Sequence, residues 1–149
     1  MLHARTILLS LALALAAAPA FAADPEPEPG TTVEMPILIA PMMMDGRLSG
    51  YAYVSSMIVA TSPNAAIDVR AKTPFIQDAF VRDVNGASIV KAGATVSPGT
   101  GIPDTSAVDA SGLTARLLAD ARRIAGEKKI AGVKLTQVSI APLRDPSGS

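Results

Sequence analysis

Between Asn64 and Gly86 the stretch NAAIDVRAKTPFIQDAFVRDVNG spaces its apolar residues as a helix does, and the other elements fall on either side of it. Ile67 and Ala71 supply the stripe in the first half, and Ile76, Phe80 and Val84 supply it in the second. Asn64 is suited to cap the start, and Asn85-Gly86 to stop the end. Asp78 and Arg82 stand four residues apart on the outer side, placed to pair. Pro74 interrupts the pattern. It either kinks one long helix or opens a second helix at its first position, with Thr73 as the cap.

Upstream, Met35–Met44 reads MPILIAPMMM, a continuous apolar run too short to span a membrane. Pro36 and Pro41 exclude a helix interior, so a buried strand at an edge or bulge is expected. Asp45-Gly46 is a hairpin signal, and the return segment Gly50–Thr61 carries Tyr51, Tyr53, Val54, Met57, Ile58 and Val59. The two segments should pair antiparallel. Downstream, residues 87–108 are rich in Gly, Ser, Thr and Pro and read as a long loop with a weak apolar patch at Ile89-Val90.

A second helix is predicted from Asp109 or Ser111 to about Gly126, with Leu113, Leu117, Ala121 and Ile124 as its stripe and Leu118 and Ala125 widening it. Beside the stripe, Arg116, Asp120, Arg123 and Glu127 alternate in sign as a solvated ladder. In the last strand, Gly132–Ala141, Val133 and Leu135 share one phase while Val138 and Ile140 share the other. That flip calls for a bulge, or for burial on both faces. The expected fold is α+β: a single small domain whose antiparallel sheet, a hairpin plus the C-terminal strand, packs against two main helices, one containing a central proline.

Composition changes this picture at the two ends. Arg5, the Leu/Ala-rich run Thr6–Ala18 and the A-x-A pattern Ala20-Phe21-Ala22 read as a signal peptide cleaved before Ala23. The uncharged run Thr6–Ala23, 18 residues long, leaves an uncleaved membrane anchor as the alternative. The expected division is a signal peptide (1–22), an acidic Pro-rich linker (23–34), the α+β domain (35–143) and a flexible tail (144–149). The expected location is the periplasm; the alternative is the inner membrane, anchored by the N-terminal segment and facing the periplasm.

Candidate chemistry is sparse. There is no cysteine, and the one histidine, His3, lies in the leader. Disulfides, Ser-His-Asp and Cys-His catalysis and zinc sites are therefore ruled out for the mature chain. Ser and Lys are both present, which leaves a Ser–Lys hydrolase formally open. The methionines at 35, 42, 43, 44 and 57 raise a copper site, because thioethers select Cu(I). No histidine or cysteine joins them, and alternation sends Met43 to the face opposite Met42 and Met44. They read as core filler. Gly99 and Gly101 lack the G-K-[ST] of a phosphate loop. No catalytic, cofactor-binding or metal residue is assigned, and no enzyme is expected.

The charge balance, 13 Lys/Arg against 13 Asp/Glu, argues against nucleic-acid binding. One dense group of like charge remains, Arg122, Arg123, Lys128 and Lys129. It suits the helix C-terminus and is the candidate partner-binding patch.

The order hairpin, Pro-containing helix, loop, helix, strand resembles the periplasmic domain of the flagellar basal-body protein FliL. Met35–Thr61 is similar to that family's opening strand pair, and TPFIQDAFVRDV (Thr73–Val84) to its Pro-Ile-acid segment. SGLTARLLADARRIAGEKKIAGVKLTQVSIAP (Ser111–Pro142) is similar to its closing helix and final strand. The resemblance implies a stomatin/SPFH-like α+β fold without catalysis. It further implies self-assembly into a homo-oligomer and partnership with a membrane complex such as the flagellar stator. The chain departs from the family in its short pre-leader segment, its A-x-A site and its looser central loop. Two function classes follow: a periplasmic scaffold supporting a membrane machine, or a small-ligand or lipid-binding module unrelated to motility. The second would use a groove between the Met-rich hairpin and the helices.

Overall fold

The computed structural model describes residues 25–96 and 103–143; the expected signal peptide, the centre of the Gly/Pro-rich loop and the tail 144–149 lie outside them. The strand Arg47–Ala60 (β3) organises the sheet, because every other strand pairs with it. One of its edges carries Leu38–Met44 (β2) along its first half and the short Thr32–Glu34 (β1) near its end. The other edge is lined by Ile130–Pro142 (β4) from Gly50 to Ala60. All pairings are antiparallel. Pro63–Ala71 (α1), Thr73–Gly86 (α2) and Ala110–Ala125 (α3) cover one face. The fold is a small α+β domain with a four-stranded antiparallel sheet.

The hairpin turns as its residues demand. Asp45 (φ 49°) and Gly46 (φ 74°) both adopt the left-handed conformation required at the two central positions of a type I′ turn. Alternation then buries Leu38, Ala40, Met42 and Met44 on β2 and Ala52, Val54, Ile58 and Ala60 on β3. Met43 points the other way, as expected. Pro36 marks a break between β1 and β2, and Pro41 sits in the edge strand β2.

The phase flip in the last strand is a bulge. Ser55 faces Gln137 and Ser56 faces Leu135, so Thr136 is an extra residue. Val133 and Leu135 before it, and Val138 and Ile140 after it, thereby reach the same face, opposite Ile58, Ser56, Val54 and Ala52. A second bulge skips Ala131.

Pro74 separates two helices. Lys72 leaves helical geometry between them (φ −101°, ψ 2°), and Thr73 is no cap: its hydroxyl donates back to the Val69 carbonyl at 3.3 Å. The first helix is capped by Ser62, not Asn64; Ser62 Oγ accepts from Ala65 N at 3.1 Å, and Pro63 takes the first turn. Starting there and breaking at Lys72, α1 turns Ala65, Ala66 and Val69 inward, leaving Ile67 60 % exposed and Ala71 exposed. Gly86 does not stop α2 by a left-handed turn; it lies within the helix, which ends at Ala87 in extended conformation.

The second half of the predicted stripe holds, with Ile76, Phe80 and Val84 buried. They pack with Leu113, Leu117, Ala121 and Ala125 of α3, which Asp109 caps through Gly112 N at 3.0 Å. Ile124, expected in that stripe, is only partly buried.

Two loop segments are more ordered than their composition suggested. Ile89 is fully buried, and its carbonyl accepts from Asp109 N, tying the loop to the start of α3. Residues 31–34 were expected to be solvated linker. Thr31 and Val33 are instead buried, because Val33 pairs with Ile58 in the sheet and Thr31 Oγ1 closes a turn onto the Glu28 carbonyl at 2.6 Å.

Candidate functional site

The helices cover one face of the sheet and leave the other bare. On that outer face β2 and β3 present apolar side chains in register: Ile39 opposite Tyr53, and Pro41 opposite Tyr51. Ile39 is 53 % exposed, and Ile37, Met43, Tyr51 and Tyr53 are exposed as well. None of these carries a charge. Both tyrosines lie on one face because they are two residues apart in a strand. Cross-strand neighbours on β4 are small or polar, with Ala141 beside Tyr51 and Ser139 beside Tyr53. Contiguous apolar surface rimmed by polar residues is the usual mark of a docking face.

Further along the same strands a depression of about 420 Å³ opens between the β1–β2 break and the Thr136 bulge. Ile37 and Met57 form its apolar part, and Glu34, Ser55 and Gln137 its polar part. Between the Met-rich hairpin and the helices, Met42 is fully buried within the core and Met44 is buried beside the turn.

The four candidate cations do not form one free patch. Lys129 Nζ donates to Asp68 Oδ2 on α1 at 2.7 Å. That bond holds the Asp68 carboxyl below its ordinary value, helped by the Lys129 charge. Arg123 pairs with Asp120 at 2.9 Å. Arg122 reaches the Ile130 and Ala131 carbonyls at 3.4 and 3.5 Å, closing the start of β4. Lys128 is exposed, with no ion pair or side-chain hydrogen bond among the described residues. Folding thus gives three of the four cations a partner at the surface and leaves Lys128 without one among the described residues.

The charge ladder of α3 is also rearranged. Arg116 turns away from Asp120 and donates through Nε to both Asp83 carboxylate oxygens, at 2.9 and 3.2 Å, linking α3 to α2. Asp78 and Arg82 pair as expected at 2.7 Å. The Asp104 carboxyl is held low because it accepts from Ser106 N, with a further bond from the Thr105 hydroxyl.

A Ser-x-x-Lys spacing that reading the sequence passed over stands at Ser88–Lys91. Such a pair serves catalysis when one helical turn brings serine and lysine together. Here the segment lies outside any helix, and Ser88 Oγ accepts from Val90 N at 3.1 Å. Among the described residues no three His, Cys, Asp or Glu side chains converge as metal ligands. Nor is any described helix long and apolar enough to cross a membrane.

Reading the sequence missed the outer face. Its signal was available: MPILIAPMMM and YAYVSSMIVA are apolar at both odd and even positions, which in an antiparallel hairpin implies two apolar faces. No family model matches this chain, and no curated protein matches it.

Proposed function

We propose that this chain is a non-catalytic periplasmic scaffold, similar to the FliL family, that self-assembles and supports a membrane complex such as the flagellar stator. The observation that carries the reading is the uncharged outer face of β2 and β3, where Ile37, Ile39, Met43, Tyr51 and Tyr53 stand exposed. A second copy is the occupant that suits it. Two such faces meet without opposing like charges, and tyrosines are favoured at the centre of protein interfaces. Lys128 remains outside this face for a carboxylate-bearing partner.

Sedimentation of the purified protein tests the reading. Oligomers that dissociate on replacing Tyr51 and Tyr53 together by lysine are expected. A monomer at all concentrations, or oligomers indifferent to that double change, would overturn it.

A further inference from the structure

The free edges of the sheet are unequally guarded. Proteins blunt exposed edges by shortness, proline, charge and bulges. The edge strand β1 has three residues, and β2 carries Pro41. The first half of β4 is guarded three times over. Arg122 sits on the Ile130 and Ala131 carbonyls, bulges fall at Ala131 and Thr136, and Lys134 supplies the one charge in the strand. The second half, Gln137–Ala141, has none of these. It is regular, uncharged and free of proline and glycine, and its sequence QVSIA is suited to a strand. Among the described residues its backbone groups pair with β3 alone.

We propose that Gln137–Ser139, the start of this half, pairs with the same stretch of a second copy, antiparallel about a two-fold axis at Val138. Antiparallel pairing of a strand with its own copy is self-complementary by symmetry. This register sets Gln137 opposite Ser139 of the second copy and opposes no charges. The two Lys134 side chains fall on opposite sides of the axis, well apart. The product is one continuous sheet whose bare outer faces adjoin, since Ser139 and Ala141 are the cross-strand neighbours of Tyr53 and Tyr51. The proposal rests on the reading of the chain as self-associating but uses a different surface, so the two fail separately.

The register dictates the test. Gln137 and Ser139 are both exposed on the outer face, so replacing them should leave the fold intact. The double variant Gln137→Lys with Ser139→Lys opposes lysine to lysine across the axis. Gln137→Lys with Ser139→Glu opposes lysine to glutamate twice. Sedimentation of the full chain at low salt should show dimerisation weakened at least tenfold in the first variant and restored in the second. Hydrogen exchange within Gln137–Ser139 should slow as wild-type concentration rises. Equal association by the two variants, or exchange at these amides independent of concentration, would overturn the proposal whatever the Tyr51 and Tyr53 variant does.

Discussion

The two faces of the β2–β3 hairpin carry similar residues in opposite surroundings. Leu38, Met42 and Val54 are fully buried, while their strand neighbours Ile39, Met43 and Tyr53 stand in solvent. Strand alternation assigns each set to a face, but only the helical layer decides which face becomes the core. Phe80 and Ile76 of α2 and Leu113 and Leu117 of α3 fill one side. Among the described residues, the other side leaves Ile39, Met43, Tyr51 and Tyr53 uncovered. Apolarity on a strand thus does not by itself say which face becomes the core.

Substitutions at the covered face should be the most damaging. Phe80→Ala removes a fully buried ring and should destabilise by about 3 to 5 kcal/mol in denaturant melts. A loss below about 1 kcal/mol would mean the helices do not seal this face. Gly50 sharpens the comparison within β3, since a Cβ there would lie 2.7 Å from the Ala141 carbonyl oxygen. Gly50→Ala should cost about 1 to 3 kcal/mol, read as a lower melting temperature. Asp83→Asn weakens the partner of Arg116 in the helical layer and should cost about 1 to 2 kcal/mol.

At the bare face the expectation reverses. Tyr51→Ser with Tyr53→Ser should alter the unfolding free energy of the monomer by less than about 1 kcal/mol, yet weaken self-association at least tenfold in sedimentation. A large loss of stability would show that these rings support the fold itself.

The smallest effect is electrostatic. Asp68 and Asp104 have carboxyls lowered from 3.8, so the stability they add is present above that value and fades as pH falls through their lower folded-state values. Asp68→Asn should flatten the acid limb of a pH–stability profile slightly, and an unchanged limb would remove the Lys129 pair from the account.

The sequence made the order of elements from β2 onward, the hairpin turn and the last-strand bulge legible, because each depends on local chemistry, while β1 read as linker. Asp45-Gly46 dictates its own turn, and the Val133/Leu135 against Val138/Ile140 phase flip has few solutions in a one-sided sheet. The helix caps were less legible. Ser62-Pro63 and Asn64 are both reasonable starts, and the choice fell to where α1 meets β3 and β1. The site was hardest to see. The density of charge at Arg122, Arg123 and Lys129 is legible in the sequence, but the partners of Arg122 and Lys129, the Ile130 carbonyl and Asp68, are brought in by tertiary structure, and only the Arg123–Asp120 pair is local to the helix. Ile39 and Tyr53 were hidden for the opposite reason, since an apolar residue in a strand reads as core until its face is known.

The central position of β3 also constrains the order in which the domain forms. Its hairpin with β2 joins neighbours in sequence and can close early, whereas its opposite edge waits for β4, the last strand described. Closing a loop of that length is the slow, entropically costly step of such a topology. A growing chain therefore carries an unfinished sheet, with Val54 and Ile58 paired on one side only, until β4 arrives. Completion of the sheet is tied to the arrival of its most distant strand in sequence.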